Sequence, residues 1–529
     1  MGTKMSQQVN SALMRSYKRA ENLDGPLLDD TFVPIPQIGS LLSIPEHHIL
    51  YGRRGTGKTH TLRRLERQRR LAGAAALYLD LRTIGSEAGL YGDEEIPLPS
   101  RATTLLVDVV GAIHEGISDL VIADERFAEN LHELGPALDS LGEAATEVKV
   151  QGSVETEIAE KEGSQKNQEL GAKFNISPSS PGLTGSASRS QSHQSESTRR
   201  RVERGHERCH IAFGALGSAF KKVTQALGDQ GLWLMLDEWS SLPIELQPYL
   251  ADMLRRTVFT AGIPVKIGAI EGRSRFAELR SNGNYIGIEL SAETTILDID
   301  EYMTFDQGAS HAIAFFSELI FRHAACLITA YDDELLYDSA DDFVRMAFAD
   351  NAFTRFVEGS EGLPRDALQI AQRCAAQAID KPITVSNVNN ACTSYFLQSK
   401  EGMLSRGALN ALGEIIDKCI EAESRVIALR RPIQSQKEVV AELYDQRLIH
   451  KRGQGVPLPR KPTGGRYDMF LVDLGCFTEL INRGQLRLVD HGLRDRGIVS
   501  TDRDRHDLRA GTPGRRAGYA LVSTADRWR

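Results

Sequence analysis

The sequence predicts an α/β protein: a parallel sheet with crossover helices, then a helical segment, then a small mixed module. Three observations predict it. Short apolar runs alternate with helical patterns from residue 49 onward, as strands joined by helical crossovers do. The run Leu232-Trp233-Leu234-Met235-Leu236 is wholly apolar, as a strand covered on both faces must be. From about residue 298 to 396 the pattern turns almost wholly helical.

The elements follow in order. In residues 1–48, an N-terminal segment, Pro34, Pro36 and Pro45 mark irregular structure. His48-Ile49-Leu50-Tyr51 reads as a buried strand. Thr59 to Ala72 reads as a helix with Leu62 and Leu65 on one face. Leu77 to Leu81 reads as a second strand. Residues 140–208 then interrupt the core. There Val148, Val150, Val154 and Ile158 alternate with polar residues, which suits a half-buried strand that Lys173–Ile176 can pair with. A serine-rich stretch too poor in apolar residues to fold alone follows. Arg199, Arg200, Arg201, Arg204 and Arg208 read as a solvated helix start, with contact to nucleic acid or a neighbouring subunit as the alternative. The insertion is thus a hairpin plus a flexible loop. The core resumes with a helix from Ile211 to about Leu227, the Leu232–Leu236 strand, a helix from Pro248 to Phe259, a strand over Val265–Ile270 and a fifth over Tyr285–Leu290. Residues 486–529, rich in Arg, Asp and Gly, read as a poorly ordered tail.

Composition narrows the classes. A length of 529 residues leaves room for about three or four domains. With 41% hydrophobic and 25% charged residues, the chain as a whole is neither disordered nor collagen-like. A net charge of −8 argues against a wholly basic nucleic-acid coat, so charge has to be read segment by segment. The six cysteines show no CxxC pattern and read as reduced core thiols. Neither a signal peptide nor an 18-residue apolar run is found, so a cytoplasmic protein with no membrane partner is expected.

Two motifs carry chemistry. Gly52-Arg53-Arg54-Gly55-Thr56-Gly57-Lys58-Thr59 fits G-x-x-x-x-G-K-[ST], between a predicted strand and a predicted helix that continues with His60. The glycines let backbone N–H groups face phosphates, and the helix start adds partial positive charge. Lys58 then bridges the β- and γ-phosphates of ATP while the Thr59 hydroxyl binds Mg²⁺. The second motif is Asp237-Glu238 at the end of the apolar strand. There Asp237 can hold Mg²⁺ through water and Glu238 can polarise an attacking water. An acidic pair that only caps the Trp239-Ser240-Ser241 turn is the structural alternative.

Together these motifs resemble P-loop NTPases of the AAA+ class. The resemblance implies a three-layer P-loop core over 49–300, with the 140–208 insertion, and a helical lid over 301–396. It also implies a polar residue after the next strand, where Glu271 departs from the usual Asn, Thr or Ser. An arginine finger is implied among Arg273, Arg275 and Arg280, with Arg280 as the choice. Gly362-Leu363-Pro364-Arg365-Asp366-Ala367-Leu368 is similar to the lid motif of origin-recognition-type initiators and would aim Arg365 at the γ-phosphate. Residues 397–485, with a helix over Ser435–Leu448 and a two-stranded ribbon after it, resemble a winged helix. Residues 446–466 hold Arg447, Lys451, Arg452, Arg460, Lys461 and Arg466 and no Asp or Glu, the footprint of a phosphate-backbone contact; a solvated loop or a protein-binding winged helix is the alternative.

The expected function is an ATP-hydrolysing AAA+ protein of the initiator type acting on or with DNA. The rival is a nucleotide-gated switch or scaffold that binds a protein partner, for example in a bacterial defence or mobile-element system. A homo-oligomer is compatible with both. A nucleotide kinase is disfavoured, since no second-substrate site is evident.

Overall fold

The computed structural model describes residues 2–529 apart from 85–90, 92, 94, 147, 152–153, 157–200, 204–205, 210–211, 229–230, 280–282, 284, 304–308, 330–338, 431–436, 458–464, 487–519 and 523–529. Its centre is a sheet of five parallel strands: β1 (His48–Tyr51), β2 (Ala75–Asp80), β3 (Leu232–Asp237), β4 (Val265–Ala269) and β5 (Thr295–Asp298). They run in the order β5-β1-β4-β3-β2. β1, β3 and β4 are buried along their full length, because helices cover both faces. On one face Ile49, Leu77, Leu234 and Ile267 pack with the helices Leu98–Ala123, Phe213–Ala226 and Gln247–Leu254. On the other, Leu50, Ala76, Trp233 and Met235 pack against Leu62 and Leu65 of the helix Lys58–Leu71 and against Ile38 and Leu42. This is a three-layer core whose strand C-termini meet along one edge, where ligands of such sheets bind.

Two expectations about strands are corrected. Tyr285–Gly287 is a strand, but it pairs antiparallel with Ala277–Leu279 outside the main sheet. Its alternating pattern is genuine, and Gly287 (φ 110°) lets the chain pass where a Cβ would stand 2.0 Å from the Phe276 carbonyl oxygen. The fifth strand is Thr295–Asp298, an edge strand buried on one side only, which therefore shows no apolar run. In the insertion, Val148–Gln151 pairs with His206–Cys209, and Val154–Thr156 with Arg201–Glu203. The return arm thus carries Arg201 and Arg208 on strands and not at a helix start, while Ile158, Arg199, Arg200 and Arg204 lie outside the described residues. The proposed partner Lys173–Ile176 lies outside the described residues.

The helices Ala309–Thr329, Ala340–Ala347, Ala352–Ser360, Pro364–Ala378 and Val385–Tyr395 form the lid. Its core includes Phe316, Ile320, Phe343, Phe356, Ile370 and Val388. The N-terminal helix Gly2–Arg15 packs into that core through Val9, Ala12 and Leu13. Asn10 Nδ2 fixes it by donating to the carbonyls of Ile379 and Lys381 at 3.1 and 2.9 Å. Ser310–Ile328 is long and apolar enough to cross a membrane by length and composition, and half of that window is buried inside the protein.

The C-terminal module is winged-helix-like. Helix Arg406–Ala422, strand β6 (Val426–Arg430) and helix Lys437–Asp445 precede the ribbon β7 (Ile449–Pro457) and β8 (Arg466–Val472). Leu412, Ile427, Leu443, Ile449, Phe470 and Phe477 fill its core. Ala520–Val522, within the stretch read as a tail, adds a fourth strand parallel to β6.

Candidate functional site

The turn after β1 is built by its glycines. A Cβ on Gly52 would stand 2.7 Å from Thr56 Oγ1, and one on Gly55 would stand 2.8 Å from Arg365 Cβ. Gly55 and Gly57 take φ of 90° and 99°, the left-handed region that glycine enters without strain. The turn feeds the helix Lys58–Leu71 directly. Lys58 Nζ donates to the carbonyls of Gly52 and Arg53 at 2.7 and 3.0 Å. Burial pulls its ammonium below the ordinary lysine value, against the opposing pull of Asp237, Asp300 and Glu238.

β3 ends beside this loop. Thr59 Oγ1 donates to Asp237 Oδ2 at 2.6 Å, joining the two motifs across the sheet. The Tyr78 hydroxyl donates to the same oxygen at 2.9 Å, and the Glu238 backbone N–H donates to Oδ1 at 2.8 Å. Gly268 on β4 makes room for this carboxylate: a Cβ there would stand 2.4 Å from Asp237 Oδ1. Glu238 has φ 58°, uncommon for a residue with a side chain. Its carboxylate accepts from Ser241 Oγ at 3.3 Å and lies 3.8 Å from Arg82 Nη1. Arg82 is also paired with Asp80 at 2.5 Å and Glu21 at 3.3 Å.

The lid closes on the loop. Pro364 opens its helix, and the Arg365 N–H donates to the Gly55 carbonyl at 3.1 Å. Burial, and next to it the charge of Arg447, lowers the Arg365 guanidinium below its ordinary value. Beside the loop lies a cavity of about 430 Å³ walled by the N-terminal segment (Phe32, Val33, Ile35), by Gly57 and His60, and by Phe315 and Pro364 of the lid. Its lining is mixed, with Thr56, Thr61 and Arg64 beside the apolar side chains. His60 faces this wall, its Nε2 lying 2.8 Å from the Leu28 carbonyl.

Other expected site residues stand differently. The Arg53 backbone N–H donates to Asp300 Oδ2 at 2.9 Å, so it is engaged within the protein and does not face an open cradle. Arg54 is exposed. Arg280 lies outside the described residues, while Arg273 pairs with Asp445. Glu271 pairs with Lys451 at 2.9 Å. The basic stretch 446–466 is not one open patch. Arg447 Nη1 is 3.0 Å from Asp366, Lys451 pairs with Glu271, and Arg452 Nη2 is 3.8 Å from Glu361. Arg466 is exposed, and Arg460 and Lys461 lie outside the described residues. Sequence reasoning reads those charges as solvent-facing because their carboxylate partners sit in the lid and core, far away in the chain.

Sequence reasoning also missed Tyr78, Arg82, Gly268 and Asp300. The first two sit at the end of β2, beside β3. An acidic pair, Asp298 and Asp300, at the end of a strand was the available signal for Asp300.

Residues 15–85, which include the phosphate loop, match the ORC-CDC6-like family model. The chain resembles initiator-type AAA+ proteins. Among solved structures it is similar to the Orc1 protein of Aeropyrum pernix in complex with DNA, at 12% identity and a TM-score of 0.31, over 90% of this chain and 96% of that one. No curated protein matches the chain.

Proposed function

We propose that this chain is an ATP-binding and ATP-hydrolysing protein of the initiator type that acts with DNA through its C-terminal module. The observation that carries the nucleotide reading is the 2.6 Å contact between Thr59 Oγ1 and Asp237 Oδ2, with Lys58 on one side and Glu238 on the other. The residues fit Mg²⁺-ATP. Among the described residues, Lys58 Nζ donates to carbonyl oxygens of its own loop, which phosphate oxygens can replace. Thr59 and Asp237 offer two oxygens to a cation that keeps most of its ligands as water and phosphate. The cavity beside Gly57 suits the base. Bound Mg²⁺ would supply charge neutralisation for the phosphates. Glu238 is then the group that orients and polarises a water, and Arg365 brings positive charge to the far side of the cradle.

Gly268→Ala tests the cation side. Displacing the Asp237 carboxylate is expected to weaken nucleotide binding in Mg²⁺ several-fold while affinity in EDTA stays near wild type. Equal losses in both conditions would remove Asp237 from the cation site.

DNA contact rests on Arg460, Lys461 and Arg466. Binding of duplex DNA measured by anisotropy is expected to fall steeply with salt. Each of these residues changed to Ala should lower the salt slope by roughly one contact. Arg447 and Arg452 variants are expected to lower stability instead, since those residues lie beside lid carboxylates. That internal use of charge favours the second reading, a nucleotide-gated switch with a protein partner. Absence of DNA binding at low salt would select it.

A further inference from the structure

A chain of buried polar groups leads away from the phosphate loop and returns to it. It begins at Arg53, whose side chain is 4% exposed. Arg53 Nε donates to Asp300 Oδ1 at 3.0 Å, and its Nη1 meets His450 Nδ1 on β7. His450 Nε2 faces Asp473 Oδ2 at 3.6 Å. Asp473 pairs with Lys400 at 2.6 Å, and Lys400 pairs with Asp366 at 2.9 Å. Asp366 follows Arg365, whose N–H donates to the Gly55 carbonyl. The circuit therefore runs from loop to C-terminal module to lid and back to the loop.

We propose that His450 is a positioning residue of the phosphate loop, so that the nucleotide site of this chain is incomplete without its C-terminal module. This rests on the nucleotide reading above. Three glycines leave the loop backbone little intrinsic restraint. Lys58 Nζ is held by the carbonyls of Gly52 and Arg53, so the position of Arg53 fixes that of the lysine. Arg53 is in turn held from two sides, by Asp300 of the core and by His450 of the module. A buried guanidinium cannot lose an acceptor cheaply, because no water replaces it.

The protonation state of His450 agrees with this role. Burial drives the imidazole down to about 3; the Asp473 carboxylate 3.6 Å away opposes this, while the Arg53 charge adds to it. The neutral ring offers the Nδ1 lone pair to the guanidinium and turns its Nε2 proton toward Asp473. The module is thus an acceptor for a loop residue 397 positions earlier in the chain. Whatever displaces β7, including a ligand on its ribbon, is felt at Arg53 through His450, beside the longer route through Lys400, Asp366 and the lid.

Hydrogen exchange of the 52–58 backbone in the full-length, nucleotide-free protein tests this, with binding of a fluorescent ATP analogue as the second readout. His450→Asn puts an amide oxygen where Nδ1 stands and is expected to keep the loop as slow to exchange as wild type. His450→Ala and His450→Gln lack that acceptor position. Both are expected to speed exchange and weaken analogue binding on the order of tenfold. Unchanged exchange in His450→Ala overturns the proposal. So does an Asn variant as fast as the Gln variant, which would assign His450 to packing alone. The Asn–Gln comparison holds even where the Ala variant fails to fold. A wild-type protein that binds no analogue would sink the nucleotide reading, while the exchange pattern separately decides whether His450 positions the loop.

Discussion

Lys58→Ala is expected to weaken Mg²⁺-ATP binding by roughly ten- to a hundredfold, since a charge-assisted contact to phosphate is worth ~1.5–3 kcal/mol and each 1.4 kcal/mol is tenfold. The variant loses more than a charge. Lys58 Nζ also ties together the carbonyls of Gly52 and Arg53, so the loop loses its internal clasp. Thermal unfolding with and without nucleotide reads this directly. A ligand that binds only the folded state raises its stability. Wild type should therefore gain melting temperature with Mg²⁺-ATP while Lys58→Ala gains little. An equal gain in both would place the nucleotide elsewhere.

Lys400→Met is expected to destabilise the protein by about 3–5 kcal/mol, the range for removing one partner of a buried ion pair. Lys400 is 2% exposed and lies between Asp366 and Asp473, both equally hidden. Burial opposes its charge, but the two carboxylates outweigh that and raise it above the ordinary lysine value. After the change Asp366 keeps Arg447, while Asp473 keeps neutral His450 and the Gly475 N–H. The loss therefore falls on the joint between lid and module. Denaturant unfolding measures it, with Arg483→Met as the control. That residue forms an exposed pair with Glu479, and its removal should leave stability nearly unchanged. Similar midpoints for the two variants would show that the buried cluster does not hold lid and module together.

What the sequence made legible follows the range of the interactions. The phosphate loop, the Leu232–Asp237 strand and the Pro364 helix start each depend on residues adjacent in the chain. Their glycines, apolar run and proline declare them locally. β5 was misplaced because an edge strand buries one side only and carries a weak pattern, while Tyr285–Gly287 carries a strong one in a two-stranded ribbon. Half of the basic stretch is engaged within the protein, for a different reason. Arg447, Lys451 and Arg452 find their carboxylates at Asp366, Glu271 and Glu361. No spacing rule links a β7 residue to a lid acid. Tyr78 and Gly268 were missed likewise, since only the sheet order places them against Asp237. The N-terminal wall of the cavity gave a hint in Pro34 and Pro36, but Pro36 opens the helix Pro36–Leu42 instead of marking irregular chain, and neither proline shows what the segment lines.

Hydrolysis at this site requires that Glu238 act on a water. Its most direct test is phosphate release in a single turnover, with ATP retention measured in parallel, for wild type and Glu238→Gln. The substitution keeps shape and hydrogen bonding but removes the basic carboxylate. The expected result is undiminished ATP retention with release slowed on the order of a hundredfold or more. Release at the wild-type rate by Glu238→Gln would contradict the assignment of this site as the place of hydrolysis.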